Sequence, residues 1–206
     1  MSLIPISVNI LYTIFFVRHG QTDWNKQARF QGQTDLELNS IGIKQAKHNA
    51  KSIANYVVSR DYIFNNLSIL TSPLKRAFDT SKYICCELSL SQKNISIDHN
   101  LLEQNYGIWE GLTRSEIEEM YGEALFKRDN NPWTFAPKNG ENLQSVANRM
   151  VEVIHKISCP TIIVTHSGNL LALHAILGLI NITKLLKEKI PHNRVFVVHN
   201  DRYEWI

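Results

Sequence analysis

The stretch Phe15-Phe16-Val17-Arg18-His19-Gly20-Gln21-Thr22-Asp23-Trp24-Asn25 ends an apolar run on an Arg-His-Gly triplet and continues into polar residues. The run reads as a buried strand, and Gly20 lets the chain turn sharply at its end. In an α/β protein, ligands sit at the carboxyl ends of strands. Arg18 and His19 are therefore aimed at a crevice. The guanidinium offers a planar fork suited to phosphate, and the imidazole a nitrogen able to act as nucleophile, base or ligand. A second apolar run, Ile162-Ile163-Val164-Thr165, ends on His166-Ser167-Gly168. Between them, Leu70-Thr71-Ser72-Pro73-Leu74-Lys75-Arg76-Ala77 sets Arg76 just inside a helix that starts near Ser72-Pro73. A fourth segment, Leu102-Glu103-Gln104-Asn105-Tyr106-Gly107-Ile108-Trp109-Glu110-Gly111, carries a carboxyl behind two leucines.

These residue types suit a phosphomonoester. Its cleavage needs charge neutralisation, an in-line nucleophile and a proton for the leaving oxygen. Arg18 and Arg76 can grip non-bridging oxygens in bidentate fashion. His166 adds a donor, and the N–H groups of Ser167 and Gly168 at a helix start add more. Thr22 and Asn25 are short polar side chains on the loop after His19, and Gln31-Gly32, Tyr106 and Trp109 supply specificity walls. His19 must be neutral to attack, and the neighbouring cations depress its pKa; His166 is expected to stay protonated against the phosphate. Glu103, beside apolar neighbours, can be held protonated as the donor and then serve as base for water, where a lone glutamate is otherwise more often a solvated one. Glu110 reads as structural.

In this order the four segments resemble the histidine phosphatase superfamily, the phosphoglycerate-mutase-like proteins, in its Arg-His-Gly branch. The resemblance runs from Ile14 to about Trp205. It implies that His19 becomes a phosphohistidine, with Arg18, Arg76 and His166 stabilising the transferring group and Glu103 as acid. Two departures stand out. The second histidine is followed by Ser167-Gly168 in place of a glycine-rich stretch. The segment before a later helix reads Pro137-Lys138-Asn139-Gly140-Glu141-Asn142, where Asn142 still suits a helix cap. Mutases of the family typically read Glu-Arg-His-Tyr-Gly at the acid. Here Gln104-Asn105 removes that charge, which favours a phosphatase-type member acting on a small phosphorylated metabolite. The alternatives are a 2,3-bisphosphoglycerate-dependent phosphoglycerate mutase, the one case that would need a cofactor, and a non-catalytic phosphate- or partner-binding module on the same fold.

The elements that must position these residues alternate between strand and helix. Tyr12–Val17, Leu67–Leu70, Ile95–Asp98 and a continuous apolar Thr161–Thr165 read as strands, the last of them central. Asn39 or Ser40 caps a helix with the stripe Ile43, Ala46, Ala50, Ile53, Ala54 and Val57. Another helix starts near Leu74. Thr113 and Glu116 suggest a capping box for a short helix through Met120. Leu143, Val146, Met150, Val153, Ile154 and Ile157 form a further stripe, and a last helix starts near Gly168. Residues 122–140, rich in Asn, Pro and aromatics, read as a lid or loop in which Phe126, Trp133 and Phe135 line an entrance or pack the lid. Arg194–Val198, the turn Asn200-Asp201-Arg202 and Tyr203–Ile206 read as a terminal hairpin. The expected fold is a three-layer α/β/α sandwich: a mainly parallel central sheet, an antiparallel edge strand, one domain over 1–206 and an insertion at about 101–142.

Composition narrows the partners. The chain has 206 residues and a formal net charge of +3, too small and dispersed for nucleic acid or a polybasic membrane patch. Met1–Val17 lacks a basic start and a cleavage site, so it reads as a short tail plus the first strand rather than a signal peptide. No run reaches the length of a membrane span. Cys85, Cys86 and Cys159 show no zinc or redox spacing and fit a reducing, cytoplasmic setting. His48, His99, His155, His174, His192 and His199 lack metal-site pairing and read as surface or core residues. With arginines supplying the cations, neither they nor Asp23 and Asp35 are needed as metal ligands.

Overall fold

Short apolar runs build the central strands of a six-stranded sheet, buried on both faces, while its two outer strands are largely exposed. The computed structural model describes residues 10–60, 67–199 and 202–206. The expected tail over residues 1–9 and the Asn200-Asp201 part of the turn lie outside them. The strands are β1 (Ile14–Arg18), β2 (Ser68–Thr71), β3 (Ile95–Ile97), β4 (Thr161–Thr165), β5 (Val195–His199) and β6 (Arg202–Trp205), in the order β3-β2-β4-β1-β5-β6. The first four run parallel, β1 pairing with β4 and β2 with both β3 and β4. The strand that opposes them is β5, one position in from the edge; β6 turns back again and forms the edge itself. The expected antiparallel edge strand is β6, paired antiparallel with β5, which itself pairs antiparallel with β1.

The pleat sends alternate side chains to opposite faces. Ile14, Phe16 and Ile163 pack with α5 (Leu143–His155) and α6 (Ser167–Ile176), while Phe15, Val17, Ile162 and Val164 pack with α2 (Ser40–Val58) and α3 (Lys75–Glu87). Asn39 caps α2, its Oδ1 accepting from the Gly42 N–H at 2.9 Å, and Asn142 caps α5 through the Ser145 N–H at 2.8 Å. The residue before α3, Leu74, has no capping side chain. Asp35 Oδ1 takes the Lys75 N–H at 2.7 Å instead, tying that helix start to a remote loop. No described helix is long and apolar enough to cross a membrane.

The first half of the segment 122–140 departs from expectation, while residues 131–140 form turns and loop as expected. The capping box at Thr113 and Glu116 opens α4 (Arg114–Asn130), which continues past Met120 through a kink at Tyr121. Glu123-Ala124-Leu125-Phe126-Lys127-Arg128 are good helix formers, and Glu123 pairs with Lys127 one turn on. Leu125 also docks with Ile117 and Trp109 in a small separate core, so helix prevails over the loop suggested by the Asn and Pro residues nearby.

Candidate active site

Adjacent parallel strands ending in register bring the two histidines together. Arg18 pairs with Thr165, so His19 and His166 leave β1 and β4 side by side. The His19 N–H donates to the Thr165 carbonyl at 2.9 Å, and the two imidazole centroids lie 5.1 Å apart. On the far side of β4, Ser72 follows β2 and places its Oγ 2.8 Å from His166 Nε2. Gly20 serves this approach differently from the expected sharp turn. A Cβ on it would stand 2.2 Å from the Gly42 carbonyl oxygen, so its role is close packing of the β1 exit against α2.

The geometry fixes the state of His19. Its Nδ1 lies 2.7 Å from the Gly20 carbonyl oxygen, which only accepts. Nδ1 therefore carries the proton and Nε2 the lone pair. Burial holds the pKa well below the usual histidine range, and electrostatic repulsion from Arg76, His166, Arg18 and His192, led by the Arg76 cation, opposes protonation further. His166 is pushed the same way by burial, then by Arg76, Arg18 and Arg149. The protein's own groups thus hold both imidazoles neutral, and the charged His166 of the expectation needs the charge of a phosphate beside it.

Each arginine spends part of its fork on the protein. Arg18 Nη1 donates to the Ile190 carbonyl at 2.6 Å, and burial lowers its pKa to about 10, still a cation at neutral pH. Arg76, fully buried, donates Nη1 to the Thr34 carbonyl at 2.8 Å and Nη2 to the Gly32 carbonyl at 2.7 Å. Among the described residues, Arg18 Nε, Arg76 Nε and His166 Nδ1 are buried without a hydrogen-bond partner. Unpaired buried guanidinium N–H groups are costly, and two of them on arginines whose charges act on each other and on His166, with its open Nδ1, mark a site built for an anion.

Glu103 completes the group. Its Oε1 accepts from the Gln104 N–H at 2.9 Å and the Gly168 N–H at 3.0 Å. Burial raises its pKa, against the opposing pull of Arg76, the Gln104 N–H, Arg18 and the Gly168 N–H. A Cβ at Gly168 would lie 2.5 Å from Oε1, so glycine there makes room for the carboxyl.

Arg18, His19, Arg76, Glu103 and His166 therefore come together, whereas other sequence-chosen residues brace them. The Thr22 hydroxyl is used on Gln31 Oε1 at 2.9 Å and Asn25 Oδ1 at 3.1 Å, within the capping box of α1 (Asp23–Lys26). Asn25 keeps its Nδ2 group. Gly32 contributes a carbonyl to Arg76, and the Gly168 N–H is taken by Glu103, so neither Thr22 nor Gly168 is the free phosphate donor expected. Ser167 stands half-buried at the first turn of α6. Glu110 is structural as expected, accepting from the Gln33 N–H at 2.9 Å and from the Thr34 N–H and Oγ1 at 3.0 and 2.7 Å. That holds the loop whose carbonyls hold Arg76. Trp133 is buried in the main core, Phe135 stacks on Trp109 at 5.6 Å, and Phe126 is 70% exposed.

Sequence reasoning missed two residues. His192, a lone histidine far along the chain, sits beside His19, with ring centroids 5.6 Å apart. No pattern announces it. Arg149 donates to the Asn100 and Leu102 carbonyls and pairs with both Glu141 oxygens at 2.9 Å, pinning the segment that carries Glu103. Its signal was weak: a cation on the polar side of the α5 stripe. Among the described residues, no cluster of three or more His, Cys, Asp or Glu could hold a metal ion.

Comparison with known proteins agrees with this geometry. Residues 14–206 match the family model of the histidine phosphatase superfamily (branch 1). A glucosyl-3-phosphoglycerate phosphatase from Mycolicibacterium vanbaalenii is 33% identical over 180 residues, 81% of this chain and 74% of the relative. A 2,3-bisphosphoglycerate-dependent phosphoglycerate mutase from Rhizobium rhizogenes is 29% identical over 185 residues, 86% of this chain and 82% of the relative. Among solved structures, a mycobacterial glucosyl-3-phosphoglycerate phosphatase in complex with VO3 superposes with a TM-score of 0.74 at 27% identity, covering 94% of this chain and 96% of that one. YhfR of Bacillus stearothermophilus gives a TM-score of 0.77 at 26% identity over 94% of both chains.

Proposed function

Because the chain belongs to the histidine phosphatase superfamily, branch 1, we propose that its site hydrolyses phosphomonoesters of small metabolites through a phosphohistidine at His19. It is a phosphatase-type enzyme, with glucosyl-3-phosphoglycerate phosphatases among its relatives. One observation carries the mechanism: a lone pair on His19 Nε2 in a site with two unpartnered buried guanidinium N–H groups, an open His166 Nδ1 and a carboxyl whose pKa is raised.

The phosphate dianion settles against Arg18, Arg76 and His166, and its charge raises the His166 pKa so that this imidazole donates. The His19 Nε2 lone pair forms the N–P bond as the ester P–O bond breaks. The leaving oxygen takes the Glu103 proton. The Glu103 carboxylate then takes a proton from water, whose oxygen attacks phosphorus and returns His19. The α6 N-terminus supports the transferring charge. The arginines do what metal ions do at other phosphoryl-transfer sites, so neither metal nor cofactor enters the scheme.

The mutase reading is weaker because Gln104 and Asn105 are occupied internally. Gln104 Nε2 donates to the Glu141 carbonyl at 2.7 Å, and Asn105 Oδ1 accepts from the Gly107 N–H at 2.7 Å. The three free cysteines support a reducing, cytoplasmic setting. Turnover of p-nitrophenyl phosphate in EDTA tests the enzyme against a silent binding module. Incubating 3-phosphoglycerate with and without 2,3-bisphosphoglycerate separates hydrolysis from mutase chemistry. Release of inorganic phosphate in both is expected; dependence on a divalent ion, or 2-phosphoglycerate formed only with the bisphosphate, would contradict the proposal.

A further inference from the structure

We propose that His192 is a positioning residue for the nucleophile, acting on His19 through its backbone carbonyl; this rests on the reading of His19 given above. His192 Nδ1 lies 2.7 Å from the His19 carbonyl oxygen. A carbonyl only accepts, so Nδ1 of His192 carries the proton. Every other polar handle of His19 is then fixed. Its N–H goes to the Thr165 carbonyl, its Nδ1–H to the Gly20 carbonyl and its C=O to His192, leaving Nε2 alone for phosphorus. The two rings meet near edge-on, at 68°.

His192 is itself anchored. Asn49 on α2 donates its Nδ2–H to the His192 carbonyl at 2.9 Å. Two residues earlier, the Ile190 carbonyl takes Arg18 Nη1. The 190–192 segment therefore grips the phosphate-binding cation and the nucleophile together, from a stretch between α6 and β5 that touches neither strand end by sheet pairing. Burial lowers the His192 pKa to about 3, so the ring is a neutral Nδ1–H donor throughout the neutral range. In-line attack is sensitive to displacements of an ångström or less, and loss of the His192 bond leaves the His19–Gly20 peptide hydrogen-bonded from one side alone, by the Gly20 N–H to Thr80 Oγ1 at 3.0 Å.

Rapid-quench measurement of phosphohistidine formation from p-nitrophenyl phosphate tests this in three proteins: the parent, His192→Leu and His192→Asn. Asn returns an N–H donor near the position of Nδ1; Leu does not. His192→Leu is expected to slow the phosphorylation step about 100-fold with KM changed by less than about threefold, and His192→Asn to recover most of the rate. A parent-like rate in the Leu protein, or equal loss in both, would overturn the inference. If the Leu protein does not fold, the ring nitrogens of the parent decide by NMR: an Nε2–H tautomer at His192 overturns it. Absence of label at His19 in the parent removes the functional reading too, whereas a labelled parent with an unaffected Leu variant removes only this inference.

Discussion

At the scale of single residues, the chemistry rests on two groups pushed away from their ordinary charge states by the same burial. Burial holds the His19 pKa down, with Arg76 and Arg18 acting the same way, and holds the Glu103 pKa up, against the same two guanidinium groups. The signs set the pH profile. A lowered His19 pKa keeps the nucleophile active to more acid pH than an ordinary histidine. A raised Glu103 pKa keeps the general acid loaded to higher pH than an ordinary glutamate, and activity toward alkyl phosphates falls as pH rises through that value. Glu103→Gln keeps size and hydrogen bonding but not the proton. Alkyl phosphates, with basic leaving alkoxides, are then expected to lose roughly 100- to 10,000-fold in rate. Aryl phosphates lose much less in the first step, so a burst of p-nitrophenol precedes slow turnover. Equal rates for both substrate types with no burst would transfer the acid role elsewhere.

At the scale of elements, function depends on which strand ends are neighbours. The sequence marked Arg18-His19 and His166 as strand-end residues, because an apolar run broken by a charged or aromatic polar residue is a local signal. That β1 and β4 lie side by side in register is a tertiary fact, and no local pattern carries it. The same limit explains the rest. Gly20 looked like a turn residue because its partner, Gly42, is on another element. The second half of α4 looked like loop because its Leu125 contacts were invisible, although its helix formers were there to be weighed. The Glu103 segment is not a regular element, so it needs Arg149 as an outside clamp. Arg149→Met is expected to lower turnover of alkyl phosphates about 10-fold and of aryl phosphates less, the same ordering as for Glu103→Gln, because it acts through that carboxyl. Steady-state kinetics on the two substrate types checks this; equal losses on both would place Arg149 outside the acid's support.

At the scale of the whole molecule, a sheet whose central strands are buried on both faces leaves several histidines without water. The hydrophobic stripes made that core readable, yet His174 and His192 read as ordinary because burial of a lone histidine has no sequence signature. His174 on α6 packs against Phe196 at 4.6 Å and Trp205 at 5.7 Å, and burial lowers its pKa from 6.5 to about 4. A depressed folded pKa means that the unfolded chain binds more protons below pH 6.5. The stability contributed by the neutral ring is complete above that pH. It is lost on acidification toward the folded value, at up to about 1.4 kcal/mol per pH unit for each such histidine. Glu103, with its raised pKa, works in the opposite direction. His174→Phe removes one titrating ring and its unpartnered Nε2. Calorimetry across pH 6.5 to 4 is expected to give a melting temperature that falls less steeply than in the parent; an unchanged slope would mean that His174 protonates freely in the folded state.

The central claim is that phosphorus passes through His19. Rapid acid quenching would be harmful to a phosphoramidate, so the direct measurement is alkaline quenching of enzyme mixed with a phosphate-labelled substrate, followed by peptide mapping. Label that survives alkali, is lost in acid, maps to His19 and disappears in His19→Ala is the result this mechanism predicts. Label on any other residue, or full turnover by His19→Ala, would contradict it.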